Sequence, residues 1–125
     1  MYIDKYNLLK DSFYTSTTSK SIVVDEMLED SFIKSAREIK LINFDDCLVS
    51  LSNGNIVYKL LNSSINLEIT ISVSCDYVEN DSVKFCYDIG TSQSSLVNEM
   101  NLKMLVYMSN KLIDSKLDEK DNIKS

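Results

Sequence analysis

Few side chains in this sequence could do chemistry, because its 125 residues include no histidine. Neither a Ser-His-Asp nor a Cys-His nucleophile can form, so acid–base work would fall to carboxylates, lysines, tyrosines or cysteines. Asp45 and Asp46 make one acidic pair, but neighbours on a strand point to opposite faces and neighbours in a turn are solvated. We therefore expect no catalytic residues and no enzymatic activity.

Sites for a metal ion or a cofactor are not expected either. Residues 79–81 resemble a fragment of a calcium-binding loop, but the ligand spacing and the closing glutamate of an EF-hand are missing. The two glycines stand alone, so there is no phosphate-binding loop. The three cysteines lie far apart without a CxxC pair, which favours small apolar roles in a reducing compartment: Cys47, Cys75 and Cys86.

One alternative remains in which the protein has a small-ligand or enzymatic pocket between a sheet and its helices. Four tyrosines could supply hydroxyl groups to such a pocket: Tyr58, Tyr77, Tyr87 and Tyr107. The missing histidines and the lack of a glycine-rich loop count against this alternative.

Residues 94–117 are the stretch around which we expect the chain to be organised. At about 100° per residue they predict a helix with one apolar stripe, formed by Leu96, Val97, Met100, Met104, Tyr107 and Met108. Further apolar residues cover most of the remaining circumference, so this helix has more apolar surface than one sheet can cover. The methionines fit either core packing or an adaptable docking surface, since thioether side chains repack easily around different partners.

Two shorter helical patterns precede the strands. Residues 2–13 predict an amphipathic helix, and the hydroxyl-rich residues 14–20 predict a linker. A second helix is predicted from Val23 to Ala36, with Ser21 or Asp25 as its cap, and residues 21–24 fit the edge of a strand equally well. From residue 38 the apolar period changes to two, which predicts strands at 38–44 and 47–51, with a turn or bulge at 45–46.

The remaining strands follow from one turn motif and one long alternation. Asn53 and Gly54 predict a type I′ turn that joins residues 47–51 to residues 56–61 in a hairpin. Residues 65–77 alternate strictly, which places Glu68, Thr70 and Ser72 on a wet face that could bind a partner. A turn at 79–81, a strand at 83–89 and a connection at 91–95 lead to the final helix, capped by a serine at 94 or 95.

These elements predict an α+β protein with an antiparallel meander of four to five strands. Two short N-terminal helices precede the sheet, and a long C-terminal helix packs on one face of it. We expect one domain over residues 1–117 and a flexible charged tail over residues 118–125.

Composition narrows the classes of partner. A net charge of −6 with a pI of about 4.6 argues against nucleic-acid binding. No apolar run approaches the roughly 18 residues of a membrane span, and no secretory leader is evident, so we expect a cytoplasmic protein. The residue usage resembles that of a low-GC bacterium, a phage or a large DNA virus.

We therefore predict a protein-interaction module, homodimeric and chaperone-like or inhibitory, that binds another polypeptide. Its predicted partner-binding residues are of two kinds: the apolar Met100, Met104, Tyr107 and Met108, and the polar Glu68, Thr70 and Ser72. The layout is similar to that of SecB-like export chaperones and type III secretion chaperones, a likeness of architecture in which no sequence motif takes part.

Overall fold

The computed structural model describes residues 4–78, 81–90 and 96–123, which form three helices and five strands. In chain order these are α1 (Lys5–Ser19), α2 (Glu26–Ile39), β1 (Asp46–Ser52), β2 (Asn55–Asn62), β3 (Leu67–Ser74), β4 (Ser82–Ile89), β5 (Asn98–Asn101) and α3 (Leu102–Ile123). The strands form one antiparallel sheet in the order β1-β2-β3-β4-β5. The predicted α+β meander with a long C-terminal helix is confirmed.

The β1–β2 hairpin turns at the predicted motif. Asn53 (φ 51°) and Gly54 (φ 78°) both adopt positive φ angles, and Ser52 pairs directly with Asn55. This is the two-residue connection in which a type I′ turn matches the twist of the flanking strands.

The alternation of β3 separates two faces of the sheet. Leu67, Ile69, Ile71 and Val73 are buried, whereas the intervening Glu68, Thr70 and Ser72 are half-buried on the opposite face. All three helices pack on the first face. α1 contacts β1, and α2 contacts β3. α3 lies beside β4, where the Ser109 hydroxyl of α3 and the Tyr87 hydroxyl of β4 form a hydrogen bond of 2.9 Å. The second face carries exposed side chains such as Leu48 and Lys59, so none of the described helices covers it.

The predicted length of this strand is wrong. β3 has eight residues, because the chain turns at residues 63–66 and again after Ser74. Asp45 fixes the first turn by accepting hydrogen bonds from the Ser63 N–H (2.8 Å) and hydroxyl (2.7 Å). Residues 79 and 80 of the next predicted turn lie outside the described residues.

The linker predicted at residues 14–20 is also wrong, since α1 continues to Ser19. Thr17 is buried and its hydroxyl donates to the Tyr14 carbonyl (3.1 Å), while the Ser19 hydroxyl donates to the Ser16 carbonyl (3.1 Å). Hydroxyl residues that bond to the preceding turn are compatible with a helix when packing supports it.

The strand predicted at 38–44 is wrong, although the Asp25 cap of α2 is confirmed. The Asp25 carboxylate accepts from the Leu28 N–H (2.8 Å). At the other end α2 continues to Ile39 and closes in a turn, where the Leu41 N–H donates to the Glu38 carbonyl (3.0 Å). The apolar residues read as strand alternation are instead buried by the helix end and the turn after it: Ile39, Ile42 and Phe44.

The predicted start of the final helix is wrong as well. Residues 98–101 form the edge strand β5, and the Asn101 side chain caps α3 by accepting from the Lys103 N–H (3.0 Å). The predicted caps at 94 and 95, and the predicted connection at 91–95, lie outside the described residues. α3 extends to Ile123, so residues 118–123 of the predicted tail are helical, and the Lys120 ammonium donates to the Ser64 carbonyl (2.7 Å).

Candidate interaction surface

One side of α3 completes the core. Its buried residues recur at helical spacing and face the sheet: Leu102, Leu105, Val106, Ser109 and Ile113. The Ser109 hydroxyl in this row is satisfied by the Tyr87 hydroxyl of β4. This side needs no further partner.

A second side of α3 is held against the segment that follows α2. The Asn110 side chain donates to the Leu41 carbonyl (2.8 Å) and accepts from the Asn43 N–H (2.8 Å). These two bonds fix the turn after α2 beside α3, while the Leu41 side chain remains exposed.

A groove of about 490 Å³ lies between α2 and α3 at this point. Val106 is its most buried lining residue, and Leu41 and Tyr107 are exposed on its two sides. The Lys111 ammonium lies 5.3 Å from the centroid of the Tyr107 ring, in cation–π range. The remaining lining residues carry charges of both signs or an amide: Glu38, Lys103, Asn110 and Asp114. We call this feature the α2–α3 groove.

The third side of α3 is apolar and faces away from the sheet. Met104, Tyr107 and Met108 lie there, and all three are exposed. We call them, together with Leu41, the outer apolar surface. Three of the four predicted apolar partner-binding residues are therefore neighbours on one face of a helix.

Met100 is separated from that face. It lies in β5, pairs with Val83 of β4 and packs partly against the core. Leu96 and Val97, the first residues of the predicted stripe, precede β5 and are also exposed.

The predicted polar residues lie elsewhere, on the uncovered face of the sheet. Glu68 pairs across the strands with Asp88, Thr70 with Cys86, and Ser72 with Lys84. A shallow depression of about 210 Å³ at this end is lined by residues that include Leu48 and Glu68. Since α3 packs on the other face, the predicted polar and apolar groups lie on opposite sides of the molecule.

The four tyrosines proposed for a pocket do not converge. Tyr58 is fully buried, and its hydroxyl lies 2.6 Å from the Ser35 hydroxyl of α2. Burial raises the pKa of Tyr58, and burial likewise raises the pKa of Tyr87. Tyr77 is buried and Tyr107 lies on the outer apolar surface.

The thiols of Cys47 and Cys75 lie in surroundings that favour their protonated form. Burial, followed by the charge of Asp46, raises the pKa of Cys47 to about 11. Burial also raises the pKa of Cys75, with smaller contributions from Asp25 and Asp76. A raised pKa lowers the thiolate fraction and with it the nucleophilicity. Within the described residues, no group of three or more cysteine or carboxylate side chains could hold a metal ion.

Leu41 and Asn110 are the residues of this surface that the sequence patterns did not indicate. Leu41 was assigned to a strand, and Asn110 was one polar residue within an apolar helix. The sequence contained one indication of this contact, the amide of Asn110 within an otherwise apolar helix. It becomes informative only when α2 and α3 are known to be neighbours.

Comparisons with protein-family models, with curated proteins and with solved structures each gave no match. Among the described residues, no helix has the length and apolar character needed to cross a membrane.

Proposed function

We propose that this protein is a non-enzymatic interaction module that forms a homodimer and binds another polypeptide through its outer apolar surface, as a chaperone-like protein or an inhibitor. One observation carries the proposal. α3 is apolar on two sides, and the core uses only one of them, so that Met104, Tyr107 and Met108 remain in contact with solvent.

A contiguous apolar surface of this kind is typical of a protein interface. Two of its side chains are thioethers, which adapt to partners of different shape, and Tyr107 supplies a rigid aromatic contact. The α2–α3 groove beside it has both basic and acidic residues on its rim, which suits a segment that is apolar in the middle and charged at its ends.

The alternative of a pocket between sheet and helices is less well supported. Such a pocket needs polar groups that are free to bind a ligand. The hydroxyls of Tyr58 and Tyr87 are already hydrogen bonded to serines of the helices.

We propose a cytoplasmic location on the basis of the cysteines. All three are unpaired, as is usual for proteins of a reducing compartment. Basic partners would be favoured by the net charge of −6.

The proposal can be tested with a permanently unfolded polypeptide, such as reduced and carboxymethylated lactalbumin, titrated against the full chain. Leu41 and Leu48 are both 56% exposed, but Leu41 belongs to the outer apolar surface and Leu48 lies on the uncovered face of the sheet. We expect Leu41→Ser to weaken binding by about fivefold or more, which is the loss of one moderate contact residue. The matched variant Leu48→Ser should bind as the wild type does.

A second matched pair tests the helix itself. Met104 (55% exposed) and Met27 (61% exposed, on the first turn of α2) differ mainly in location. Met104→Ser should weaken binding and Met27→Ser should not. Equal effects within either pair, or a wild type that binds no unfolded polypeptide, would contradict the proposed function.

A further inference from the structure

The two edges of the sheet differ, and the β1 edge is closed by α1. Ser52 and Asn55 flank a two-residue turn and therefore form a hydrogen-bonded pair. Since hydrogen-bonded and non-hydrogen-bonded pairs alternate, the backbone N–H and C=O groups of Val49 and Leu51 point away from β2. The Val49 N–H donates to the Ser12 hydroxyl (2.7 Å), and the Lys20 ammonium donates to the Leu51 carbonyl (3.4 Å). Side chains of α1 and of the residue that follows it thus occupy the groups to which another strand would bond.

Among the described residues, none covers the centre of the β5 edge in this way, and Glu99 is exposed. In an antiparallel sheet, hydrogen-bonded and non-hydrogen-bonded pairs alternate along each ladder. When this alternation is followed from the β1–β2 turn through the four ladders, Glu99 and Lys84 form a non-hydrogen-bonded pair. The backbone N–H and C=O of Glu99 therefore point away from β4. No described residue is hydrogen bonded to Glu99. An open strand edge is a template for pairing with another strand.

Apolar side chains flank this open edge. Leu96 and Val97 directly precede β5 and are 68% and 62% exposed. On α3, Asn110 faces α2, and Met108 and Leu112 lie two positions before it and two positions after it, respectively. Two positions correspond to about 200° of rotation, so both side chains lie on the side of the helix opposite Asn110. They therefore lie on the side of α3 toward the β5 edge, where Met108 is exposed and Leu112 partly buried. We call these four residues and β5 the β5 edge surface.

We infer that a second copy of this chain occupies the β5 edge surface. The β5 strands of two copies pair antiparallel across a two-fold axis, and α3 of one copy packs against α3 of the other. This inference rests on the homodimer in the proposed function and names its interface. Met108 belongs to both surfaces, so the dimer covers it and leaves Leu41, Met104 and Tyr107 of the outer apolar surface for the polypeptide.

The chemistry of the edge favours a second copy over an unrelated strand. A two-fold contact uses the same patch on both molecules, so an open edge with apolar flanks complements itself. The two Glu99 carboxylates approach each other in this arrangement, but each lies across the ladder from Lys84 of its own chain, and a basic cross-strand neighbour reduces the repulsion. A four-residue strand alone falls short of the roughly 800 Å² that each partner buries in a stable interface, so the α3 contact is needed as well.

Sedimentation of the full chain across micromolar concentrations tests the inference, with matched valine variants. Val97 is 62% exposed and Val78 is 60% exposed, but Val78 lies outside the β5 edge surface. The wild type should sediment as a dimer of 14.3 kDa chains. Val97→Asp should weaken self-association by about tenfold or more, as expected when a charge enters an apolar contact, and Val78→Asp should not change it.

Glu99→Pro tests strand pairing separately. The Glu99 N–H faces away from β4, so proline removes no bond of the sheet and is tolerated at an edge. We expect the same circular dichroism and melting temperature as the wild type, and self-association weakened by about tenfold or more. A dimer unaffected by both Val97→Asp and Glu99→Pro would place the interface elsewhere and overturn this inference, while the homodimer and polypeptide binding would stand. A monomeric wild type would overturn the inference and the homodimer, whereas polypeptide binding is decided by the Leu41 and Leu48 variants.

Discussion

The buried hydroxyl pair of Ser35 and Tyr58 gives the sharpest test of the interior. Tyr58 is fully buried between α2 and the sheet, and its ring stacks on Phe32 at a centroid distance of 6.2 Å. Its hydroxyl lies 2.6 Å from the Ser35 hydroxyl and only 3.4 Å from the Phe32 carbonyl. The Ser35 hydroxyl also lies within hydrogen-bond distance of the Ser31 carbonyl (2.7 Å) and the Phe32 carbonyl (3.2 Å).

These distances predict unequal costs for the two single substitutions. Ser35→Ala leaves the Tyr58 hydroxyl buried with one long contact, which should lower the free energy of unfolding by about 1–3 kcal/mol. Tyr58→Phe leaves Ser35 with two carbonyl acceptors and should lower it by about 0.5–1.5 kcal/mol. The double variant Ser35→Ala/Tyr58→Phe leaves no orphaned hydroxyl, so its cost should be smaller than the sum of the two single costs.

Urea unfolding followed by circular dichroism measures these differences at constant m-value. The reasoning would be refuted if Tyr58→Phe cost more than Ser35→Ala, or if the two single costs added in the double variant. Either result would mean that the Tyr58 hydroxyl has another partner, as it would in a ligand pocket.

Three further predictions concern the turn, the thiols and the groove. Gly54→Ala should lower the free energy of unfolding by about 1–2 kcal/mol in a urea titration. The cost comes from the positive φ of 78°, since an added Cβ meets no atom within 4 Å. Asn53→Gly should cost less, and a Gly54→Ala variant as stable as the wild type would contradict the type I′ assignment. Burial raises the pKa of Cys47 from its ordinary 9.0 to about 11, so the folded chain holds this proton more tightly and stability should decrease as the pH rises from 9 to 11. Cys47→Ala should make that decrease smaller in urea titrations at each pH, and an unchanged slope would contradict the assignment. Asn110→Ala should weaken binding of the unfolded polypeptide by about twofold to tenfold, because Leu41 loses its attachment to α3; Asn7→Ala, on the exposed start of α1, should not.

The elements that could be predicted from the sequence are those specified by local chemistry. Asn53 and Gly54 tolerate positive φ angles that other residues avoid, so the hairpin and its register were readable directly. Asp25 precedes an amphipathic stretch and caps it as expected. The alternation at residues 67–74 assigned the two faces of β3 correctly, because a period of two allows one arrangement only.

The errors occurred where tertiary contacts overrode local preference. Hydroxyl residues favour loops, but Thr17 is drawn into the core and carries α1 past the predicted linker. Ile39 and Leu41 have the spacing of two that a strand requires, but Ile39 is buried at the end of α2 and Leu41 is exposed in the turn that follows, and only the buried side of α2 decides between strand and helix. Strand ends likewise depended on the Asp45 bonds to Ser63, which join residues 18 positions apart.

The least predictable feature was which apolar side of α3 is buried against the sheet and which is exposed. The short strand β5 explains why. β5 has four residues and a single apolar side chain, Met100, too little for a period-two signal. Because Asn101 caps α3 immediately after this edge strand, the first turn has no connecting residues in which to rotate, and Leu102 and Leu105 are directed at the sheet. The stripe that contains Met104 is then necessarily turned outward. Met104→Asp should therefore leave folding intact and affect partner binding alone.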